Sequence, residues 1–118
     1  MSKSLFDFLK QYKKANPVRC HTPGHSGKAA VLSPFKTILG YDITEIDGAD
    51  SLYDSTGIIK NCETKAAEIF ECEASLISAG GCSLAIQTML SLCVKANQKI
   101  AIARNSHRCA ISTLALIN

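Results

Sequence analysis

The sequence has little of what a nucleic-acid-binding protein needs. Charged residues make up 19% of its 118 residues, the formal net charge is +3, and there is no tryptophan. The basic residues are scattered, with Lys13-Lys14 as their one adjacent pair. Because binding to nucleic acid uses a dense row of Lys and Arg along the phosphates, we expect no nucleic-acid partner.

Long apolar runs are also missing. No run approaches the roughly 20 residues that span a bilayer, and the acidic Asp7 interrupts the N-terminal segment where a signal peptide would be apolar. We therefore expect no membrane partner and a cytoplasmic location. The hydrophobic fraction of 47% nevertheless excludes a disordered class, since such a chain is built to bury a core.

The six cysteines lack the spacing of a disulfide framework or a metal site. No Cys-x-x-Cys pair occurs, and only Cys20 and His21 with His25 resemble a zinc ligand group, without a second pair. We predict reduced thiols and no metal site.

The N-terminal half combines one clear helix with a long irregular stretch. Ser4 and Asp7 form a capping box with Asp in place of Glu, and apolar residues then repeat at helical spacing over residues 5–14. Asn16-Pro17 should end this helix. Residues 18–56 show no sustained period, apart from a short helix predicted near residues 33–39. An irregular stretch of this length is usually functional or packs on something outside the chain.

The second half alternates helical and short apolar segments. Helices are predicted from Gly57 over about 14 residues, over residues 83–95 and over residues 107–116. Short apolar runs at residues 74–78 and 99–103 read as strands. This order of segments predicts an α/β fold with parallel strands. In the first of these helices the spacing of apolar residues places Lys60, Glu63, Lys65 and Glu68 mostly on the outer face.

A glycine-rich turn joins the first of these strands to the next helix. Gly80-Gly81-Cys82-Ser83 would direct backbone N–H groups, the positive helix end and a hydroxyl at one spot, which is the outline of a phosphate site. The turn matches neither the Walker pattern nor Gly-x-Gly-x-x-Gly. A tight turn capped by Ser83, without a ligand, explains the local sequence equally well.

Three histidines are further candidates. His107 follows the second predicted strand, at the sheet edge where α/β folds bind ligands, and an imidazole there could stack on a flat ring or simply cap a helix. His21 and His25 flank a Pro-Gly turn, and an ordinary turn with solvated histidines is the alternative.

Taken together, these features resemble one family. The motifs, in chain order, are His21-Thr22-Pro23-Gly24-His25, Asp42-Ile43-Thr44-Glu45 with Gly48-x-Asp50-x-Leu52, Gly57-Ile58-Ile59-Lys60, Gly81-Cys82-Ser83-x-x-Ile86-Gln87-x-Met89 and Arg104-Asn105-Ser106-His107. Their order and spacing resemble those of the Orn/Lys/Arg decarboxylases, which are pyridoxal-phosphate (PLP) enzymes with the aspartate-aminotransferase type of large domain.

The resemblance implies a fold and a set of roles. The fold would be the N-terminal part of a fold type I large domain, with an incomplete parallel sheet and flanking helices. Residues 1–56 would be an N-terminal helix and dimer-contact arm, and residues 57–118 the start of the PLP-binding domain. Gly81, Cys82 and Ser83 would hold the cofactor phosphate and His107 would lie against its ring. Residues of the arm would form the active-site rim at a subunit contact, namely His21, His25, Glu45 and Asp50.

The resemblance also implies an activity and what this chain lacks for it. The reaction would be decarboxylation of lysine, ornithine or arginine in a homo-oligomer. The family's Schiff-base lysine and the aspartate that pairs with the pyridine nitrogen have no counterpart in these 118 residues, so we assign no catalytic residue and expect the chain alone to be inactive. A thiol at Cys82, where the family commonly has a hydroxyl, is a weaker donor. The alternative is a truncated, inactive gene product with at most an interaction or phosphate-binding role.

Overall fold

The computed structural model describes residues 4–28 and 33–117, with backbone only at Ser33. Five α-helices are present in this part of the chain: α1 (Leu5–Ala15), α2 (Lys36–Leu39), α3 (Ile58–Ile69), α4 (Gly81–Cys93) and α5 (Arg108–Ile117). A single 3-10 turn, Ser33–Phe35, precedes α2. No helix in these ranges is long and apolar enough to cross a lipid bilayer.

The local helix signals are confirmed. The Ser4 hydroxyl accepts the Asp7 N–H at 3.2 Å, and the Asp7 carboxylate reaches back to the Ser4 N–H at 3.4 Å, which completes the capping box of α1. The helix ends at Ala15, its C-cap residue Asn16 has a left-handed φ of 46°, and Pro17 follows. The other predicted helices are present with ends shifted by one to a few residues.

The predicted parallel sheet is wrong. Residues 74–78 and 99–103 are neither helical nor strands, and no strand occurs anywhere in the described ranges. A strand exists only when a neighbour satisfies its N–H and C=O groups, and no such pairing involves either run among the described residues. Their apolar side chains stay substantially exposed instead, with Leu76 at 80%.

The chain forms two compact units, Met1–Ile77 and Ser78–Asn118. In the first unit α1 contacts α3, and the buried side chains include Leu39 and Ala49. In the second unit α4 packs on α5, burying Leu90 and Thr113. The predicted division into a dimer-contact arm, residues 1–56, and the start of a cofactor-binding domain, residues 57–118, is a division by function, and it stays a prediction.

Candidate functional site

The glycine-rich turn opens α4 with unused donors. Gly80 is the N-cap residue, and no side chain in the described part of the chain caps this helix end. The first N–H groups of any α-helix have no carbonyl one turn back to bond. Those of Gly81, Cys82 and Ser83 therefore point out of the start of α4, where all three residues are exposed.

The backbone at Gly81 leaves room for a ligand. Its φ is +67°, a left-handed value that glycine adopts easily, and a Cβ built there would meet no atom within 4 Å. An anion is favoured at such a place by the N–H groups and by the helix dipole together. The Ser83 side chain adds a hydroxyl donor in the same turn. This donor set fits the phosphate group of PLP, while the alternative of a Ser83-capped turn lacks the side-chain cap it requires.

His107 lies just before α5 and is bonded to it. Its carbonyl accepts the Ala110 N–H at 3.0 Å, and its ring Nδ1 accepts the Cys109 N–H at 3.2 Å. The imidazole thus caps α5, as the sequence allowed, and the residue remains exposed. A ring held at Nδ1 keeps its faces and its Nε2 available, so the capping role and contact with a flat ligand are compatible.

The two histidines of the Pro-Gly turn are bonded and partly buried rather than solvated. The Tyr12 hydroxyl lies 2.7 Å from His21 Nε2, and His21 Nδ1 lies 2.5 Å from the Thr22 carbonyl oxygen. His25 Nδ1 accepts the Gly27 N–H at 3.1 Å, so its Nε2 carries the proton donated to Asp42 at 3.1 Å. Both imidazoles therefore tie the turn to other parts of the first unit.

Glu45 and Asp50 lie around one cavity. It has a volume of about 420 Å³, and its lining also includes Asp42, which His25 contacts. Three of the four predicted rim residues are thereby brought to one region of the first unit. His21 is bonded instead to Tyr12 of α1.

The Asp50 carboxylate holds the start of α3. Oδ2 accepts the N–H groups of Gly57 and Ile59 at 2.9 Å and that of Lys60 at 3.3 Å, while Oδ1 accepts those of Ser51 and Thr56 at 3.0 Å. These bonds, that of Thr56 first, hold the pKa of Asp50 far below its ordinary value, although desolvation opposes them. The side chain is a remote cap for α3, a role that no local motif in the sequence indicated.

Glu63 is placed differently from its prediction. The helical pattern put it on the outer face of α3, but it is 2% exposed. Its carboxylate accepts the Ile77 N–H at 3.1 Å and the Ser55 hydroxyl at 2.9 Å. The Ile77 N–H, and then the Ser55 hydroxyl, lower the pKa of Glu63. The amphipathic pattern missed this because the partners come from segments on either side of α3.

Arg19 also has a structural role, although the sequence analysis did not single it out. Its guanidinium donates to the carbonyl oxygens of Leu39, Gly40 and Asp42 at 3.3, 2.7 and 3.2 Å, at and just after the C-terminal end of α2. It also lies over the Tyr12 ring, 4.9 Å from the centroid. It thereby links the end of α2 to α1.

Metal binding finds no support in this geometry. In residues 4–28 and 33–117 no three His, Cys, Asp or Glu side chains are close enough together to hold an ion. All six cysteines are free thiols. The predicted site residues of the second unit are the glycine-rich start of α4 and the His107 imidazole.

Comparison with known proteins identifies the lineage. The profile described as "Orn/Lys/Arg decarboxylase, major domain" matches residues 3–118. This chain belongs to the Orn/Lys/Arg decarboxylase family. Among similar curated proteins, the arginine decarboxylase of Halalkalibacterium halodurans is 34% identical over 93% of this chain, and that of Bacillus subtilis 32% identical over 93%.

The family match covers only part of these relatives. The chain spans about a quarter of their length, 23% and 24% respectively. The B. subtilis protein described as "Uncharacterized protein YaaO" is 26% identical over 92% of the chain. No solved structure matches this sequence.

Proposed function

We propose that this chain is the cofactor-holding part of a PLP-dependent decarboxylase that acts on a basic amino acid. The observation that carries the proposal is the family match over residues 3–118, which includes the open, glycine-led start of α4. Arginine is the first substrate to test, because relatives at 30–34% identity bear the name arginine decarboxylase.

In this proposal, different residues of the second unit bind the phosphate and the ring of PLP. When bound, PLP supplies the electron sink for the carbanion that remains after CO2 leaves. The N–H groups of Gly81, Cys82 and Ser83, with the Ser83 hydroxyl, hold its phosphate. His107 would lie against its ring and would keep Nε2–H free as a donor, since Nδ1 is already bonded to α5.

No lysine of the described residues is assigned to catalysis. Lys60 and Lys65 pair with Glu63 and Glu68, at 3.4 and 2.8 Å, and the Glu68 contact raises the pKa of Lys65. A nucleophilic lysine needs the opposite shift, toward the neutral amine. These two lysines are thus poor candidates for the Schiff base, and we propose that the chain alone binds the cofactor without releasing CO2.

We propose that the four rim residues of the first unit lie at a contact between subunits. The chain exposes 9364 Å², whereas two compact domains with the sizes of its two units would expose about 7500 Å² together. Large apolar side chains account for part of this surface, among them Val18 at 92% and Tyr53 at 86%. Apolar side chains exposed to this degree favour association with another surface, and we propose a homo-oligomer in which His21, His25, Glu45 and Asp50 rim the active site.

The binding proposal is tested by titrating the chain with PLP and with inorganic phosphate. Ser83→Ala should weaken both ligands, because the lost hydroxyl serves the phosphate. His107→Ala should weaken PLP and leave inorganic phosphate unchanged, since only PLP has a ring. Ser91→Ala is the matched control, an exposed serine near the other end of the same helix.

Two results would overturn the proposal. Equal effects of Ser83→Ala and Ser91→Ala would remove the phosphate assignment. Absence of PLP binding by the chain would favour the inactive gene product. Activity is assayed separately as CO2 release from carboxyl-labelled arginine, lysine and ornithine by the protein isolated from its source cells with an antibody to residues 18–56. The intact mass of that protein shows whether further segments accompany this one.

A further inference from the structure

The side chain of Cys109 contacts the ring of His107. Its Sγ lies 2.9 Å from His107 Nδ1, the atom that also accepts the Cys109 N–H at 3.2 Å. One residue therefore directs two donors, a backbone N–H and a thiol, at the same ring nitrogen.

This arrangement fixes where the ring proton is. A backbone N–H can only donate, so Nδ1 must present its lone pair, and the neutral imidazole then carries its proton on Nε2. The thiol S–H adds a second, weaker donor to that lone pair. The opposite tautomer, with the proton on Nδ1, would set that proton against the backbone N–H of Cys109.

Cys109 itself is anchored. Its carbonyl oxygen accepts the Thr113 hydroxyl at 2.7 Å, and Thr113 is 3% exposed in the packing of α4 on α5. The Cys109 side chain is half-buried, whereas His107 is exposed. The backbone of Cys109 is thus held within α5, next to the packing of α4 on α5, and the exposed ring contacts the thiol from outside.

We propose that Cys109 is a positioning residue that orients His107 and holds it as the Nε2–H tautomer before a ligand arrives. Its use in catalysis rests on the proposed function, in which His107 lies against the PLP ring. Cys109 touches no ligand in this scheme. It acts only through the imidazole, which then meets a planar ligand with its face and its Nε2–H already in place.

The tautomer of His107 can be measured without cofactor, from the nitrogen chemical shifts of the imidazole at a pH where the ring is neutral. Cys109→Ala removes the thiol donor and keeps the backbone N–H. The ratio of the Nε2–H to the Nδ1–H form should fall about fivefold, the effect expected for losing one weak hydrogen bond. Cys109→Ser should restore the ratio, because a hydroxyl donates in the same place. Cys93→Ala, which removes an exposed thiol from the end of α4, is the control.

PLP titration supplies the second measurement. Cys109→Ala should weaken PLP binding severalfold and leave inorganic phosphate unchanged, with rescue by Cys109→Ser. An unchanged tautomer ratio in Cys109→Ala, or a change equal to that in Cys93→Ala, overturns the positioning role. A changed ratio in a chain that binds no PLP supports the positioning of the ring by Cys109 and refutes the proposed function, so the two failures are distinguishable.

Discussion

Replacing Gly81 with alanine should destabilise the second unit through the backbone alone. The φ of Gly81 is +67°, and an added Cβ would meet no atom within 4 Å, so no steric clash contributes. A residue with a Cβ loses about 1–2 kcal/mol in the left-handed region relative to its normal conformation. The ratio of folded to unfolded molecules should therefore fall roughly 5- to 30-fold.

Substitutions at two other glycines distinguish the cost of a left-handed backbone from steric crowding by the added Cβ. A Cβ at Gly24 would also meet nothing within 4 Å, but no left-handed φ occurs there, so Gly24→Ala should be neutral or slightly stabilising. Gly80 has an ordinary φ of −83°, yet its Cβ would lie 2.7 Å from Leu84 Cβ and closer still to Leu84 Cδ2. Gly80→Ala should therefore destabilise by crowding.

The assay is urea unfolding followed by far-UV circular dichroism. Gly81→Asn should recover part of the loss, because asparagine visits the left-handed region more readily than alanine. If Gly81→Ala unfolds at the same urea concentration as Gly24→Ala, the left-handed turn is not required and the open phosphate cradle argued from it is wrong. The same variant should bind inorganic phosphate more weakly than the wild-type chain.

Three further substitutions test the packing around the site. Asp50→Asn keeps one acceptor oxygen where the carboxylate has two, so it should lower the melting temperature at neutral pH. Since the folded pKa of Asp50 is depressed, its contribution to stability is present above the unfolded pKa of about 4 and fades at lower pH. A difference in melting temperature between Asp50→Asn and the wild type that does not narrow on acidification refutes this. Ser4→Ala should cost about 1 kcal/mol by removing the α1 cap, measured by urea unfolding against Ser91→Ala. Leu90→Ala should cost about 2–5 kcal/mol, whereas Leu92→Ala, at a side chain 80% exposed, should change the free energy of unfolding little; equal effects would contradict the α4 and α5 packing.

The helices were predictable because their signals are local. Ser4 and Asp7 lie three residues apart, and the same two residues make the capping box in the structure. Asn16-Pro17 ends α1 where the restricted residue before proline predicts it. Signals of this kind depend on neighbours within one turn, so they survive whatever the rest of the chain does.

The strands were not predictable for the opposite reason. An apolar run such as residues 99–103 has the composition of a strand, but pairing depends on another backbone brought alongside, which the run itself does not encode. The same limit applies to Glu63. Its charge and helical position indicate an outward side chain, yet it is buried because Ser55 and the Ile77 N–H bond it from outside α3. In both cases the deciding partner lies beyond the window in which a periodic pattern is read.

Among the predicted rim residues, the side chains of His25 and Asp50 are engaged in hydrogen bonds that hold the surrounding backbone. Both ring nitrogens of His25 are occupied, one by the Gly27 N–H and one by Asp42, and the Asp50 carboxylate receives five backbone N–H groups. Groups bonded in this way hold the backbone of the loop in place. Their contribution to an active site would therefore be structural, since they hold the turn at residues 21–27 and the start of α3, in the same unit as the cavity that Glu45 lines. In the proposed function, contact with the cofactor falls instead to the N–H groups that open α4 and to Nε2 of His107.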